Sequence, residues 1–197
     1  MPVKKRLSAP ERRAQILDVS RVCFIEHGYL RTTTAMIAHE AQVTEPILYR
    51  HFPSKRDLFH AILEEALITA KTRFDDLASK CTTGAEKLIA IVGDYPEFSR
   101  RHRNLFNVVD RAVADDQDTR TRALLRGYFS ALESVLGGYV KEGQADGSIR
   151  AELDARTLAG FLTMAGVGFG PIAELKIPPV ADPEFPSDTV CFVSSLV

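Results

Sequence analysis

The chain has no tryptophan, only three methionines and only three cysteines among its 197 residues. Cys23, Cys81 and Cys191 are far apart, with no Cys-x-x-Cys pair. An odd, scattered set of thiols indicates neither a disulfide framework nor a zinc site, and a reducing cytoplasm fits it. Runs of alternating apolar residues are scarce, which leaves little for a sheet. No apolar run follows Lys4, Lys5 and Arg6, so no signal peptide is expected. The uncharged stretch from Leu158 to Ala173 is too short to span a bilayer and is interrupted by glycines and Pro171. A buried helix is expected there, and no membrane partner. Also missing are G-x-S-x-G, H-E-x-x-H, a phosphate-binding P-loop and a dinucleotide fingerprint. No catalytic residue, metal ligand or cofactor is therefore assigned, and no enzyme activity is expected.

What is present is helical periodicity and an uneven charge distribution. Net charge is −1. Residues 1–60 hold 10 Lys and Arg against 6 Asp and Glu, and residues 61–197 hold 15 against 20. A basic head on an acidic body suits a protein that meets phosphate at one end.

The head reads as helices with clear start and stop signals. Ser8 and Glu11 have capping-box spacing, with Pro10 in the first turn. Ile16, Leu17, Ser20, Cys23 and Phe24 share a face, and Gly28 supplies a left-handed stop. Thr33 caps a second helix reaching about Ala41, with Ile37, Ala38 and Ala41 inside. After a turn at Gln42 and Val43, Thr44 caps a third helix reaching about His51. Leu48 and Phe52 face inward, Pro53 ends that helix, and Ser54 with Asp57 starts a long fourth helix to about Ser79. Two short helices across a tight turn are the layout of a helix-turn-helix DNA reader.

In the body, Pro96 is expected to end or kink a helix that starts near Ala85. A further helix is expected from Asp118 to Gly143, where Gly137 and Gly138 suggest a bend or a close backbone contact. Residues 143–150 read as a turn, and Asp154 caps a last helix to about Leu175. That helix is apolar nearly all round. Leu158, Phe161, Leu162, Ala165, Phe169 and Ile172 are placed on one face, with Met164 and Val167 off it. Burying both sides calls for a second copy, hence a homodimer. The expected fold is all-α: a helix-turn-helix domain over residues 8–54 (the motif itself 33–52), a helical ligand-binding and dimerisation domain over 55–175, and a proline-rich tail over 176–197.

Candidate DNA contacts follow from helix chemistry. Helix starts favour phosphate, and Thr33 and Thr34 add hydroxyls there while Lys55 adds a full charge. The third helix offers Thr44, Glu45, Pro46, Ile47, Tyr49, Arg50 and His51 to the major groove. Arg50 suits bidentate guanine readout or a phosphate grip. Glu45 can accept from cytosine N4, and Pro46 and Ile47 can pack on thymine methyls. Tyr49 and His51 are assigned to phosphates, with helix capping or packing open for His51. His27, His39, His60 and His102 form no ligand-like cluster. Lys4–Arg6 is either a solvated tail or an arm reaching adjacent DNA. The body's aromatics are core residues or the walls of an apolar pocket. The candidates for the second role are Phe74, Phe98, Phe106, Tyr128, Phe129, Phe161, Met164 and Phe169, with Tyr95 also in view.

The run Leu48-Tyr49-Arg50-His51-Phe52 followed by Ser54-Lys55 has correctly spaced companions upstream: Ile16-Leu17, Phe24, Gly28-Tyr29, Thr32-Thr33, Ile37-Ala38, Ala41 and Val43. Together, over about Arg12 to Leu63, they resemble the tetracycline-repressor (TetR) family of bacterial transcription regulators. The resemblance implies an all-α homodimer on a palindromic operator, whose variable body usually binds a small molecule. Such proteins mostly repress and are released from DNA by their ligand. A lipophilic effector is expected here, acting by tilting the fourth helix and so changing the spacing of two heads that must match half-sites one or two turns of about 34 Å apart. The alternative is a DNA-binding or DNA-organising protein with the same head and no effector.

Three positions depart from the family pattern. Gln42 stands where the family usually has Gly in the turn, Met36 where an acidic residue often completes the cap with Thr33, and Pro46 where Gly is common, although the tetracycline repressors themselves resemble this chain in having Pro there. The tail departs too: the resemblance implies a ninth helix that completes the dimer interface, and with residues 176–197 short and proline-rich a truncated one is expected, which bears on dimer geometry.

Overall fold

The computed structural model describes residues 7–114, 119–175, 190, 191 and 194. The arm Lys4–Arg6, Asp118 and nearly all of the tail lie outside them. The fold is all-α. Eight helices occur among the described residues: α1 Ala9–Arg31, α2 Thr34–Glu40, α3 Glu45–His51, α4 Lys55–Ala78, α5 Gly84–Arg101, α6 Arg103–Ala114, α7 Thr119–Asp146 and α8 Ala155–Glu174.

The caps explain most of the starts. Ser8 and Glu11 form a reciprocal capping box on α1, and Thr83 and Glu86 form another on α5. The Thr33 hydroxyl accepts from the Met36 amide, and the Ser54 hydroxyl from the Asp57 amide. Each such cap contributes about 1 kcal/mol. Asp154 starts α8 by accepting from the Thr157 amide at 2.8 Å. Thr44 precedes α3 in extended geometry, but its side chain makes no capping bond, so the expected hydroxyl cap is absent. Gly28 does adopt the left-handed region, with φ 77°. The chain then regains helical geometry to Arg31 rather than stopping there.

Two elements of the body differ from the sequence expectation. α5 runs through Pro96 without ending, and the break falls at His102. The amphipathic helix packs against α4, α7 and α8, and this packing outweighs the roughly 3 kcal/mol that an interior proline costs. α7 continues to Asp146, so the turn expected over 143–150 is shortened. Gly137 and Gly138 make no unusually close contact. The close approach lies at Gly143, where the end of α7 meets the start of α5.

Two apolar cores result. One joins Ile16, Phe24, Ile37, Leu48, Phe52, Phe59 and Ile62 in the head with Leu105, Val108, Val109 and Ala112 of α6 and Leu125 and Tyr128 of α7. The other gathers Phe74, Leu88, Ile91, Phe98, Leu136, Val140 and Leu158 in the body. α6 is thus a wall of the body whose other side packs on the head, chiefly against α1. Polar links between helices include ion pairs from Arg21 to Glu65, Arg73 to Asp94 and Lys87 to Glu142. Among the described residues, no helix is long and apolar enough to cross a membrane.

Candidate nucleic-acid interface and body cavity

α3 is amphipathic within seven residues. Leu48 is fully buried, Phe52 just beyond it is 1% exposed, and the opposite side carries exposed Pro46, Tyr49 and Arg50. Glu45, Ile47 and His51 flank that surface, half-buried. Other bonds hold the unit in place. Gln15 donates to the Ala41 carbonyl at 3.2 Å, closing α1 onto the turn. The Arg13 guanidinium lies 4.7 Å from the centre of the Phe52 ring. Gln42 has φ 54°, so the turn takes the left-handed geometry although no glycine is there.

Thr34, Glu45 and Tyr49 form a chain across α2 and α3. The Thr34 hydroxyl donates to the Glu45 carboxylate at 3.0 Å and lies 2.9 Å from the Tyr49 hydroxyl. A threonine hydroxyl has one proton. With that proton on Glu45, Tyr49 donates to Thr34, and Thr34 has none to offer a phosphate in this arrangement. Thr33 is exposed and uses its oxygen as the α2 cap. Arg50 is exposed, and Thr44 at the start of α3 is exposed as well.

Lys55 is used differently from the phosphate contact expected of it. Its ammonium donates to the carbonyls of Tyr29 at 2.8 Å, Thr32 at 3.0 Å and Leu30 at 3.4 Å. It also sits 4.5 Å from the centre of the Tyr29 ring. An ammonium has three N–H donors, and these bonds engage all of them at the C-terminal end of α1. Lys55 keeps its charge at the start of α4, but it has no spare donor in this arrangement. The Tyr29 ring packs in turn on Phe59 and Phe24, with centroids 4.9 and 5.7 Å away.

The body holds a partly open apolar cavity of about 220 Å³ between α4, α5, α6, α7 and α8. Phe74, Phe98, Phe106, Tyr128, Phe129, Phe161 and Phe169, all expected from sequence as pocket candidates, line it, and so does Tyr95. Met164 does not. It is 68% exposed and points away. Phe161 and Ile172, expected on the inner face of α8, are also largely exposed at 44% and 39%. A helix apolar on every side gives periodicity little contrast by which to choose its inner face, so sequence placed exposed Ile172 there and offered Met164, read as off that face, as a pocket residue; Phe161 lines the cavity as expected while remaining partly exposed. With Leu175 they make an outward apolar strip along α8.

Asp110 was not identified from sequence. It sits one helical turn after Phe106 on α6, and both line the cavity. The i, i+4 spacing from an apolar-face phenylalanine was the available signal. Asp110 also lines an adjoining cleft of about 390 Å³ with Glu97, Arg100, Arg103 and Asn107. Its charge is felt inside: burial first, then Asp110, pushes the Tyr95 hydroxyl pKa up. Burial, Tyr95 and Asp110 do the same for Tyr128. Both phenols therefore stay neutral across the working pH range. The Tyr95 hydroxyl donates to the Gly166 carbonyl at 2.9 Å. Among the described residues, no group of three or more His, Cys, Asp or Glu could hold a metal ion.

The sequence profile for bacterial regulatory proteins of the tetR family matches residues 16–62, covering the whole of α2 and α3. The nucleoid occlusion factor SlmA of Marinobacter nauticus is 30% identical over 155 residues, which span 78% of each chain. The chain belongs to the tetR family. Among solved structures, Salmonella enterica GusR superposes with TM-score 0.80 at 23% identity, over 98% of each chain. FadR from Bacillus subtilis, solved in complex with stearoyl-CoA, gives 0.79 at 20% identity over 93% of this chain and 98% of that one. These two show a shared fold along nearly the whole chain.

Family membership makes the chain a DNA-binding regulator and sharpens the meaning of its departures. The tetR-family turn that usually carries glycine keeps its left-handed geometry at Gln42, at a cost of about 1–2 kcal/mol. Met36 leaves Thr33 with a one-sided cap instead of a reciprocal one. Pro46 takes the second position of α3, where no N–H is missed.

Proposed function

We propose that the protein is a homodimeric transcriptional repressor that binds a palindromic operator through α3 and leaves it when a lipophilic effector fills the body cavity. The observation that carries this reading is the position of α6. Phe106 and Asp110 face the cavity, while Leu105, Val108 and Ala112 of the same helix pack in the core of the head. A ligand that prefers a shifted α6 shifts the head with it. It can do so only through its different affinity for the two arrangements. α4 offers a second route, because Ala70 and Phe74 line the cavity and Leu58, Phe59 and Ile62 belong to the head core.

In this reading residues 8–54 act as the DNA-binding head and 55–175 as the effector and dimer body. Arg50, Glu45, Pro46 and Ile47 read bases, and Thr33, Thr44, Tyr49 and His51 hold the backbone. Thr34 positions Glu45 and Tyr49. Lys55 supports the fold of the head and adds charge. The outward strip of Phe161, Met164, Ile172 and Leu175 meets its counterpart on a second copy. Selection of duplexes from a random pool tests the first half of the proposal: a palindrome with two equal half-sites is expected. Titration of the selected complex with lipophilic compounds tests the second half: release is expected.

The match to a nucleoid occlusion factor favours one other reading, a DNA-organising protein that needs no effector. The cavity weighs against it, since that role requires none. Operator affinity unmoved by any compound that raises the melting temperature would favour it.

A further inference from the structure

Polar side chains on the wall of the body cavity are few, and all but one are committed. Among the described lining residues they are Tyr95, Asp110, Tyr128 and Thr163. Tyr95 donates to the Gly166 carbonyl and Thr163 to the Ala159 carbonyl, each at 2.9 Å. Asp110 has interactions within the protein and, ionised, has no proton to give. Tyr128 differs from the other three. It is only 6% exposed, and its ring packs edge to face on Phe129 with centroids 5.1 Å apart. Its hydroxyl nevertheless has no hydrogen-bond partner among the described residues, whereas buried polar groups ordinarily have one. Nor is the hydroxyl sealed in the packing: it keeps contact with open space, and the space that Tyr128 borders is this cavity. Burial, then Tyr95 and Asp110, pushes its pKa up. The phenol therefore holds its proton, within the field of two groups on the same wall.

On the reading of this cavity as the effector site, we infer that the effector is an uncharged lipophile with a hydrogen-bond-accepting oxygen, such as a ketone or ester carbonyl, which takes the Tyr128 proton while the apolar wall encloses the rest. An accepting oxygen answers the one side-chain donor left open. Water serves that hydroxyl in an open cavity, and a carbonyl that displaces the water reproduces its bond where a hydrocarbon does not. Charge finds no counterpart. No Lys, Arg or His lines the described wall, and the one carboxylate has its own interactions. An ionised head taken out of water there would be unpaired, which is costly. Tyr128 also ties the seat to the head. It belongs to the core in which Leu105, Val108 and Ala112 of α6 meet the head helices, so the bonded ligand rests on a residue of that shared core.

Two probes of one shape test the inference on the full chain: methyl octyl ketone and its methylidene analogue, with C=CH₂ in place of C=O, their binding read by headspace partitioning. Tyr128→Phe is expected to weaken the ketone about fivefold and to leave the analogue unchanged, which also reports an intact cavity. The infrared carbonyl stretch of the bound ketone is expected at a hydrogen-bonded frequency in the wild type and at its hydrocarbon-solvent frequency in the variant. Decanoate and decylamine, titrated calorimetrically at neutral pH, are expected to bind more weakly than the ketone. If the variant does not fold, the carbonyl stretch in the wild type decides alone. No loss in Tyr128→Phe, equal losses for both probes, or a free-carbonyl frequency in the wild type overturns the inference, as does tighter binding by either charged chain. Both probes binding alike to both proteins, and releasing the operator, overturns it and leaves the effector reading standing. The bonded carbonyl with operator affinity unmoved supports the seat and removes the effector reading, whereas binding by no probe removes both.

Discussion

Gly84 at the start of α5 and Gly143 near the end of α7 touch through their backbones. A Cβ on Gly84 would lie 2.2 Å from the Gly143 amide nitrogen and 2.5 Å from the Tyr139 carbonyl oxygen. Both neighbours are backbone atoms, so no flexible side chain can yield. Gly84→Ala must push the two helices apart at the point where the body core closes. A destabilisation of about 3 kcal/mol is expected, at the upper end for overpacking, measured by urea unfolding. A change under about 0.5 kcal/mol would show that the helices separate easily and that their close approach is incidental.

The same junction has a pH signature. Asp146 accepts from the Gly84 amide at 2.8 Å and from the Ser148 amide at 2.8 Å. Bonding to the Ser148 side chain, then to the Gly84 and Ser148 amides, holds its pKa below the ordinary value of 3.8. A lowered folded-state pKa contributes stability that is fully present above the unfolded value and lost as pH falls through the folded one. The wild type should therefore exceed Asp146→Ala in stability at neutral pH, and the gap should narrow below about pH 4. Melting temperatures of both proteins from pH 7 to pH 3 check this, and a gap that widens in acid would contradict it.

Lys55 ties the start of α4 to the end of α1 by three carbonyl bonds and a ring contact. Lys55→Met keeps the length of the side chain and removes the charge and the donors. Hydrogen bonds to charged groups contribute about 1.5–3 kcal/mol, so a decrease in that range is expected in head stability, read by hydrogen exchange at the Tyr29 and Leu30 amides. A variant as stable as the wild type, with DNA affinity reduced equally on every sequence, would return Lys55 to the phosphate role read from sequence.

Local signals were legible in the sequence and distant ones were not. Ser8, Thr33 and Ser54 cap helices three residues away, and Leu48 and Phe52 follow the period of their own helix, so the head could be drawn from spacing alone. The bonds of Lys55 reach back 23 to 26 residues, which no local pattern encodes. Pro96 announces a helix end that the packing of α5 overrules. The uniform apolarity of α8 hid that Ile172 is exposed and that Phe161, although it lines the cavity, is also 44% exposed. Asp110 was passed over because one carboxylate on an amphipathic helix looks like any solvated one until the opposing walls are in place.

Gln42 offers a gain in stability. Its φ of 54° strains a residue with a Cβ and is natural to glycine. Its position, between α2 and α3, is exposed, though Gln42 does have an interaction within the protein. Gln42→Gly should stabilise the head by about 1 kcal/mol, the strain relieved less the added freedom of the unfolded chain. Thermal unfolding checks this. A lower melting temperature would show that the interactions of the glutamine side chain outweigh its backbone strain.

Arg50 separates recognition from folding. It is exposed on α3 while Leu48 and Phe52 hold that helix to the core, so Arg50→Ala deletes no packing and should leave the unfolding free energy within about 0.5 kcal/mol of wild type. Any change in DNA binding then belongs to the interaction of Arg50 with the duplex. A bidentate bond to guanine predicts lost discrimination at one base pair per half-site, worth about 1–3 kcal/mol, with little change on sequences already lacking that guanine. A phosphate grip predicts uniform weakening and a salt dependence shallower by about one unit for each phosphate that Arg50 had neutralised. Competition binding on single-substitution operators at two salt concentrations distinguishes them, and the guanine pattern is the expected result. The uniform pattern would move base reading to Glu45, Pro46 and Ile47.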